Sequence, residues 1–113
     1  MVEIYIKQFK KKFNVKASNK NMTKTYDFQL ALAKSQDIDD QDSIEVIKLS
    51  KEATQKTVEY IKDVLKLTDK QFETLEDMEF TETVELANYI SMRLMGMSDD
   101  DIKKANEEDS GEE

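Results

Sequence analysis

The acidic stretch DIDDQD, residues 37–42, is where the side-chain types most readily suggest chemistry. An EF-hand loop places oxygen ligands at its first, third and fifth positions, glycine at its sixth and a bidentate glutamate at its twelfth. Counted from Asp37, the ligands would be Asp37, Asp39 and Gln41. However, Asp42 replaces the glycine, and Lys48 replaces the glutamate and would repel the ion. We therefore predict no metal site here, but a solvated loop whose acids favour the start of the next helix.

Glu82 and Glu85 are a second candidate for chemistry, since paired carboxylates can act as general acid and base. Their spacing places both on the surface of one helix, where nothing predicts the burial that would tune a pKa for catalysis. The chain has no histidine and no cysteine, and its 2 glycines cannot form a glycine-rich phosphate loop. We expect a protein that is not an enzyme and has no catalytic residue, cofactor or metal.

Charge is distributed unevenly along the 113 residues, a length that fits a single domain. Seven lysines against Glu3 give residues 1–24 a charge of +6, so the remainder of the chain, whose total is −8, carries −14. A nucleic-acid-binding face would group arginine with lysine, but Arg93 is the only arginine. We interpret the lysines as a solvated strand edge, which discourages edge-to-edge pairing.

No apolar run in the sequence approaches the ~20 residues of a membrane-spanning helix. The N-terminal residues also lack the apolar core of a signal peptide. We expect a cytoplasmic protein with neither a membrane nor a nucleic acid as its partner, and the absence of cysteine fits that compartment.

The first 17 residues alternate between apolar and polar side chains, the pattern of β-strands. The apolar residues lie at even positions up to Ile6 and at odd positions from Phe9 onward, so the phase slips between them. We predict a hairpin with strands at about residues 4–9 and 13–17 and a turn near Lys10–Lys12. A hairpin alone is marginally stable in water, so it must pack on the helices.

Helical periodicity replaces the alternation after residue 17. Two capping boxes, TDKQ from Thr68 and SDDD from Ser98, mark helix starts. The helices are expected at about residues 21–35, 42–65, 69–76, 81–95 and 99–104. One row of apolar residues on the second helix comprises Ile44, Ile47, Val58, Ile61 and Leu65.

The prediction is an α+β fold, mostly α, in which the N-terminal hairpin packs on a bundle of four to five helices. Residues 1–104 form one globular domain. Residues 105–113 are acidic and contain no large apolar side chain, so we expect a disordered tail. Residues 106–113 should be removable without loss of the fold.

The helix at about 81–95 has one broad apolar face and two large apolar residues outside it, Tyr89 and Met92. It is therefore either the central helix of the bundle or a core helix that also offers Tyr89 and Met92 to a partner. Ile90 and Leu94 are predicted core positions. The whole face comprises Val84, Leu86, Ala87, Ile90, Leu94 and Met95.

The order of these segments resembles a known family, the tail assembly chaperones of long-tailed siphophages and related prophages of Gram-positive bacteria. The resemblance covers about residues 4–104. Its most specific blocks are YIKDVLKLTDKQFETLEDMEF and TVELANYISMRLMGMSDDDIK, preceded by KQFKKKFNVKASNKN and TYDFQLALAKSQ.

The resemblance implies a non-enzymatic role in the bacterial host's cytoplasm. Members bind the tape measure protein, keep it soluble and help recruit the major tail protein, the tail tube subunit, to it. They are absent from the mature virion. In many such phages a ribosomal frameshift near the end of this reading frame adds a second domain to some copies. Whether the protein forms a homo-oligomer is left open.

A chaperone for amphipathic helices needs adaptable apolar surface, which methionine provides. The predicted partner-binding residues are Met78, Phe80, Tyr89 and Met92, and the lysine-rich hairpin edge is the next candidate. The methionines around this helix could instead fill the core. A competing interpretation is a small acidic regulator or inhibitor, such as a DNA mimic or an antitoxin, that binds through the acidic remainder of the chain.

Overall fold

A computed structural model of the chain describes residues 1–36 and 43–104. The acidic stretch 37–42, for which a solvated loop was predicted, lies outside the described residues. So does the tail 105–113, and both predictions therefore stay predictions.

The described part of the chain forms a two-stranded hairpin followed by five helices, which confirms the predicted α+β, mostly α, fold. The strands are β1 (Val2–Ile6) and β2 (Lys11–Val15). The helices are α1 (Asn19–Gln36), α2 (Ser43–Leu65), α3 (Asp69–Asp77), α4 (Phe80–Leu94) and α5 (99–104).

The hairpin turns earlier than its sequence suggested. β1 and β2 are antiparallel, with Ile4 opposite Phe13 and Ile6 opposite Lys11. The turn therefore occupies residues 7–10, not the region around Lys10–Lys12, and Lys10 adopts a left-handed φ of 50°. The phase slip between Ile6 and Phe9 is the turn itself. Glycine is the residue usually found in this left-handed conformation. Because a lysine occupies it here, no sequence signal marked the position of the turn.

α2, rather than α4, is the central helix. It contacts α1, α3, α4 and β2, whereas α4 contacts mainly α2 and β1. Of the two alternatives for this helix, the central position is therefore excluded: α4 is a core helix whose broad apolar face packs mainly on these two neighbours. The buried residues of α2 are Ala53, Thr57, Tyr60, Ile61, Val64 and Leu65.

α4 buries Ile90 and Leu94, as the sequence predicts. Met95, expected on the same face, is instead 52% exposed. The helix ends at Leu94 and the chain turns away at Gly96, whose φ is +99°. The buried face also includes Ser91, which is polar but donates from its hydroxyl to the Ala87 carbonyl at 2.9 Å.

Both predicted capping boxes are present. The Thr68 hydroxyl accepts from the Gln71 N–H at 3.2 Å, and the Gln71 side chain accepts from the Thr68 N–H at 3.0 Å. Before α5, Ser98 and Asp101 exchange the same two bonds at 3.1 and 3.2 Å. The bond from the Ser98 N–H is the main reason that the pKa of Asp101 is lowered.

Candidate interaction surfaces

A buried hydroxyl network joins α1, α2 and α4 and so fixes the helices that carry the surface residues. The Tyr60 hydroxyl lies 2.8 Å from the Thr25 hydroxyl and 3.3 Å from the Ser91 hydroxyl. The Phe28 ring stacks on the Tyr60 ring with 5.1 Å between centroids and an angle of 2°. Burial raises the pKa of Tyr60, so its hydroxyl stays protonated and available to both partners.

Phe80 and Met78, two of the four predicted partner-binding residues, lie at the junction of α3 and α4. Phe80 is the first residue of α4 and is 44% exposed. Met78 caps the end of α3 and is half-buried against the core. Phe80 is therefore available to a partner, whereas much of Met78 is already used in packing.

Tyr89 and Met92, the other two, lie three residues apart and share one side of α4. Both are half-buried, and Tyr89 packs against the core. Phe80 precedes Tyr89 by nine residues, which places it on the opposite side of the helix, about 13 Å away along the axis. The structure thus brings Tyr89 and Met92 together but separates them from Phe80.

Arg93 joins three segments around Tyr89. Its guanidinium donates to the carbonyls of Glu3 at 2.7 Å and Met97 at 3.2 Å, and its Nε lies 3.6 Å from Asp99. The Tyr89 hydroxyl donates to the same carboxylate of Asp99 at 2.5 Å. No sequence pattern predicted this cluster, because β1, α4 and α5 meet only through the tertiary fold. The one available signal was that Arg93 is the only arginine.

A groove of about 420 Å³ separates β1 from the N-terminal half of α4. Tyr5 and Tyr89 line it together with the acidic pair Glu82 and Glu85. The Gln8 side chain donates to Glu82 at 3.3 Å and bridges the hairpin turn to α4. The acidic pair is thus part of an open surface groove, consistent with the solvated face that its spacing suggested.

Further exposed apolar side chains lie on α1 and α2. The side chains of Tyr26, Leu30, Ile44 and Ile47 are all exposed, although they belong to helices of the bundle. Leu30 is 59% exposed and lies in a shallow groove with Lys34, Glu52 and Lys56.

One side of α2 changes from exposed to buried along its length. We name the residues on this side the α2 row; they are spaced by seven, four, three and four positions along the sequence. Ile47 at one end is 66% exposed, whereas Leu65 at the other end is only 6% exposed. The predicted apolar row included both residues but could not show that one end would be left bare. The α2 row comprises Ile47, Thr54, Val58, Ile61 and Leu65.

The chain matches the family model of phage tail assembly chaperone proteins over residues 2–110. It belongs to this family. No match was found among curated proteins or among solved structures. The matched range includes the hairpin and all five described helices, so the family assignment applies to every element of the described chain.

Membership of the tail assembly chaperone family gives the general role and implies contact with other tail proteins. It favours the assembly role over the acidic regulator, the competing interpretation. Within residues 1–36 and 43–104, no group of three or more acidic side chains is placed to hold a metal ion. None of the helices in these ranges is long and apolar enough to cross a membrane.

Proposed function

We propose that this chaperone binds the tape measure protein, keeps it soluble and helps recruit the tail tube protein to it during tail assembly. It acts in the cytoplasm of the bacterial host, has no catalytic step and leaves before the virion is complete. The proposal refines the family role by naming the two partners that the sequence resemblance implies.

The observation that supports client binding is the set of large apolar side chains on the helix surfaces. Ile47, Phe80 and Met95 are each exposed by more than 40%. Single exposed apolar residues are ordinary on soluble proteins, but a holding chaperone needs several that can contact the apolar stripes of a helical client. The net charge of −8 keeps a protein with such a surface soluble.

Co-expression tests the holding role. The tape measure protein is produced with and without the chaperone, and its soluble fraction and co-purification are measured. We expect it to be mostly insoluble alone and soluble in complex with the chaperone. Addition of the tail tube protein to this complex should give a ternary assembly. A tape measure protein that stays insoluble and uncomplexed in the presence of the chaperone would refute the proposal.

Tyr89 and Met92 remain proposed contact residues, together with Met78 and Phe80. The double substitution Tyr89→Ala with Met92→Ala tests them, and circular dichroism must accompany the pull-down because Tyr89 also packs on the core. Phe80→Ala separately tests the proposed contact residue on the opposite side of α4. Loss of binding with an intact helical spectrum supports a contact at Tyr89 and Met92, whereas unfolding shows that they serve the core.

A further inference from the structure

The α2 row is exposed at Ile47 for a geometric reason, and we name this end of the row its bare end. α4 reaches the Tyr60 hydroxyl through Ser91 at 3.3 Å and ends three residues later at Leu94. From Tyr60 back to Ser43, α2 continues for about 25 Å. The Gln29 side chain donates to Met95 Sδ at 3.6 Å, so the end of α4 lies beside the middle of α1, at the level of Lys56 in α2. The N-terminal part of α2, which carries Ile47, therefore projects past the end of α4.

The two ends of the α2 row face the same way. Ile47 and Leu65 are 18 residues apart, which is five full helical turns, so their side chains leave α2 in the same direction. Ile61 and Leu65 belong to the core, and Val58 packs against it. Among residues 1–36 and 43–104, the surface that buries this end of the row has no counterpart at Ile47, which remains 66% exposed.

We propose that the bare end of the α2 row is the docking surface for one amphipathic helix of the client. The helix would lie along the projecting part of α2, with its apolar stripe on Ile47, and would extend the packing that already buries Val58, Ile61 and Leu65. This inference rests on the proposed function, because it adds to the contact residues on α4 a second surface through which the chaperone holds the tape measure protein.

A helix is the occupant that this surface fits. The backbone N–H and C=O groups of α2 are bonded within the helix, so the row offers no strand edge to an extended peptide. An extended peptide would leave its own backbone groups unpaired against apolar side chains, whereas a helix satisfies them internally. The row follows the helical repeat, and such a ridge fits the groove between side chains of a second helix.

A stable dimer of folded copies fits the surface less well. Specific stable interfaces bury about 800 Å² on each partner. At the bare end of α2, Ile44 and Ile47 are the large exposed apolar side chains among the described residues, and Lys51 and Thr54 follow them. Such a patch offers on the order of a few hundred Å². This size suits a chaperone that must release its client.

The chain offers a matched control at Leu30. Leu30 is 59% exposed, close to the 66% of Ile47. It shares a groove with Lys56, which is nine residues from Ile47 and therefore on the opposite side of α2. An Ile47→Asp and a Leu30→Asp variant thus each place a charge on an exposed position, but on different surfaces.

The experiment measures the affinity of the tape measure protein for the wild-type chain, Ile47→Asp and Leu30→Asp by pull-down titration. We expect Ile47→Asp to weaken binding by at least about tenfold, in the range of an interface hot spot. Leu30→Asp should change it by less than about threefold, as for a residue outside the centre of an interface. Circular dichroism should show the same helicity for all three, because both side chains are exposed in the free protein.

The outcomes separate the inference from the function it rests on. If the wild-type chain does not bind the tape measure protein, the proposed function fails. If the wild type binds and Ile47→Asp binds equally well, the function stands and the docking surface is overturned. The surface is also overturned if Leu30→Asp weakens binding as much as Ile47→Asp, or if light scattering shows that Ile47→Asp converts a wild-type dimer to a monomer.

Site-specific cross-linking gives an independent measurement. The chain has no cysteine, so Ile47→Cys and Leu30→Cys each introduce a single attachment point for a photo-cross-linker. The inference requires cross-links to the tape measure protein from position 47 and few or none from position 30. The reverse pattern would contradict it.

Discussion

The hydroxyl groups of Thr25 and Tyr60 lie 2.8 Å apart in the core, on two helices that run side by side. Each also has a second neighbour, since the Thr25 hydroxyl donates to the Asn21 carbonyl at 2.9 Å and the Tyr60 oxygen lies 3.3 Å from the Ser91 hydroxyl. Thr25 can give only one proton, so Tyr60 is the donor between the two when Thr25 bonds to Asn21. The pair fixes the position of α1 along α2.

Tyr60→Phe should lower the free energy of unfolding by about 1 kcal/mol, the net contribution of a typical hydrogen bond. The cost stays modest because Thr25 and Ser91 keep their own backbone acceptors, Asn21 and Ala87. Chemical denaturation measures it. Thr54→Val is the control, since Thr54 is exposed and makes only a similar bond within α2. If Tyr60→Phe lowered the free energy of unfolding by more than the truncation of a core side chain does, the network would contribute more than the energy of its hydrogen bonds.

Ile90→Ala and Leu94→Ala should each cost about 2–5 kcal/mol of stability, the usual range for truncating a buried aliphatic side chain. Ile90 is fully buried and Leu94 is nearly so, both in the main core cluster. Met95→Ala, one residue further, removes an exposed side chain and should change the melting temperature little. A melting temperature unchanged by Leu94→Ala would contradict the assignment of this residue to the core.

The parts of the fold that were predicted correctly are those set by local periodicity. The spacing of Ile90 and Leu94 within α4 identified buried positions, because a helix with one apolar face must bury it. The alternation around Ile4 and Ile6 likewise identified β1. The exact turn was missed because a lysine, not glycine or asparagine, takes the left-handed position at Lys10.

The candidate surface was predicted less well, because exposure depends on how far neighbouring helices extend. Periodicity placed Ile47 and Leu65 in one row, but only the tertiary structure shows that α4 ends before it reaches Ile47. Met95 was assigned to the buried face for the same reason. The contacts of Arg93 with Glu3 and Asp99 join residues distant in the sequence, and no local pattern indicates them.

Thr68→Ala should destabilise the protein by about 1 kcal/mol, because it removes the side-chain acceptor of the capping box at the start of α3. The Gln71 N–H would lose the 3.2 Å bond that it donates to the Thr68 hydroxyl. Thr74→Ala is the control within the same helix, since its hydroxyl only bonds back to the Lys70 carbonyl. Equal effects of the two substitutions on the denaturation midpoint would argue against a role for the cap.

Tyr89 should make the protein's stability fall in alkaline solution. Burial, followed by the hydrogen bond to Asp99 and the charge of Asp99, raises the pKa of Tyr89 from 10.0 to about 12, while Arg93 opposes the rise. The unfolded chain, with a tyrosine pKa of about 10, loses this proton first. The contribution of Tyr89 is therefore complete below about pH 10 and is lost as the pH rises through about 12.

Denaturation of the wild type and of Tyr89→Phe at about pH 8 and about pH 11 tests this linkage. The wild type should lose more stability between the two pH values than Tyr89→Phe, which has no phenol to ionise. Asp99→Asn should reduce the difference without abolishing it, because burial, the largest cause of the raised pKa, remains. Tyr5→Phe is the matched control at an exposed tyrosine and should leave the wild-type pH dependence in place. If Tyr89→Phe and the wild type lost stability equally, the hydroxyl of Tyr89 would not be held against Asp99 in solution.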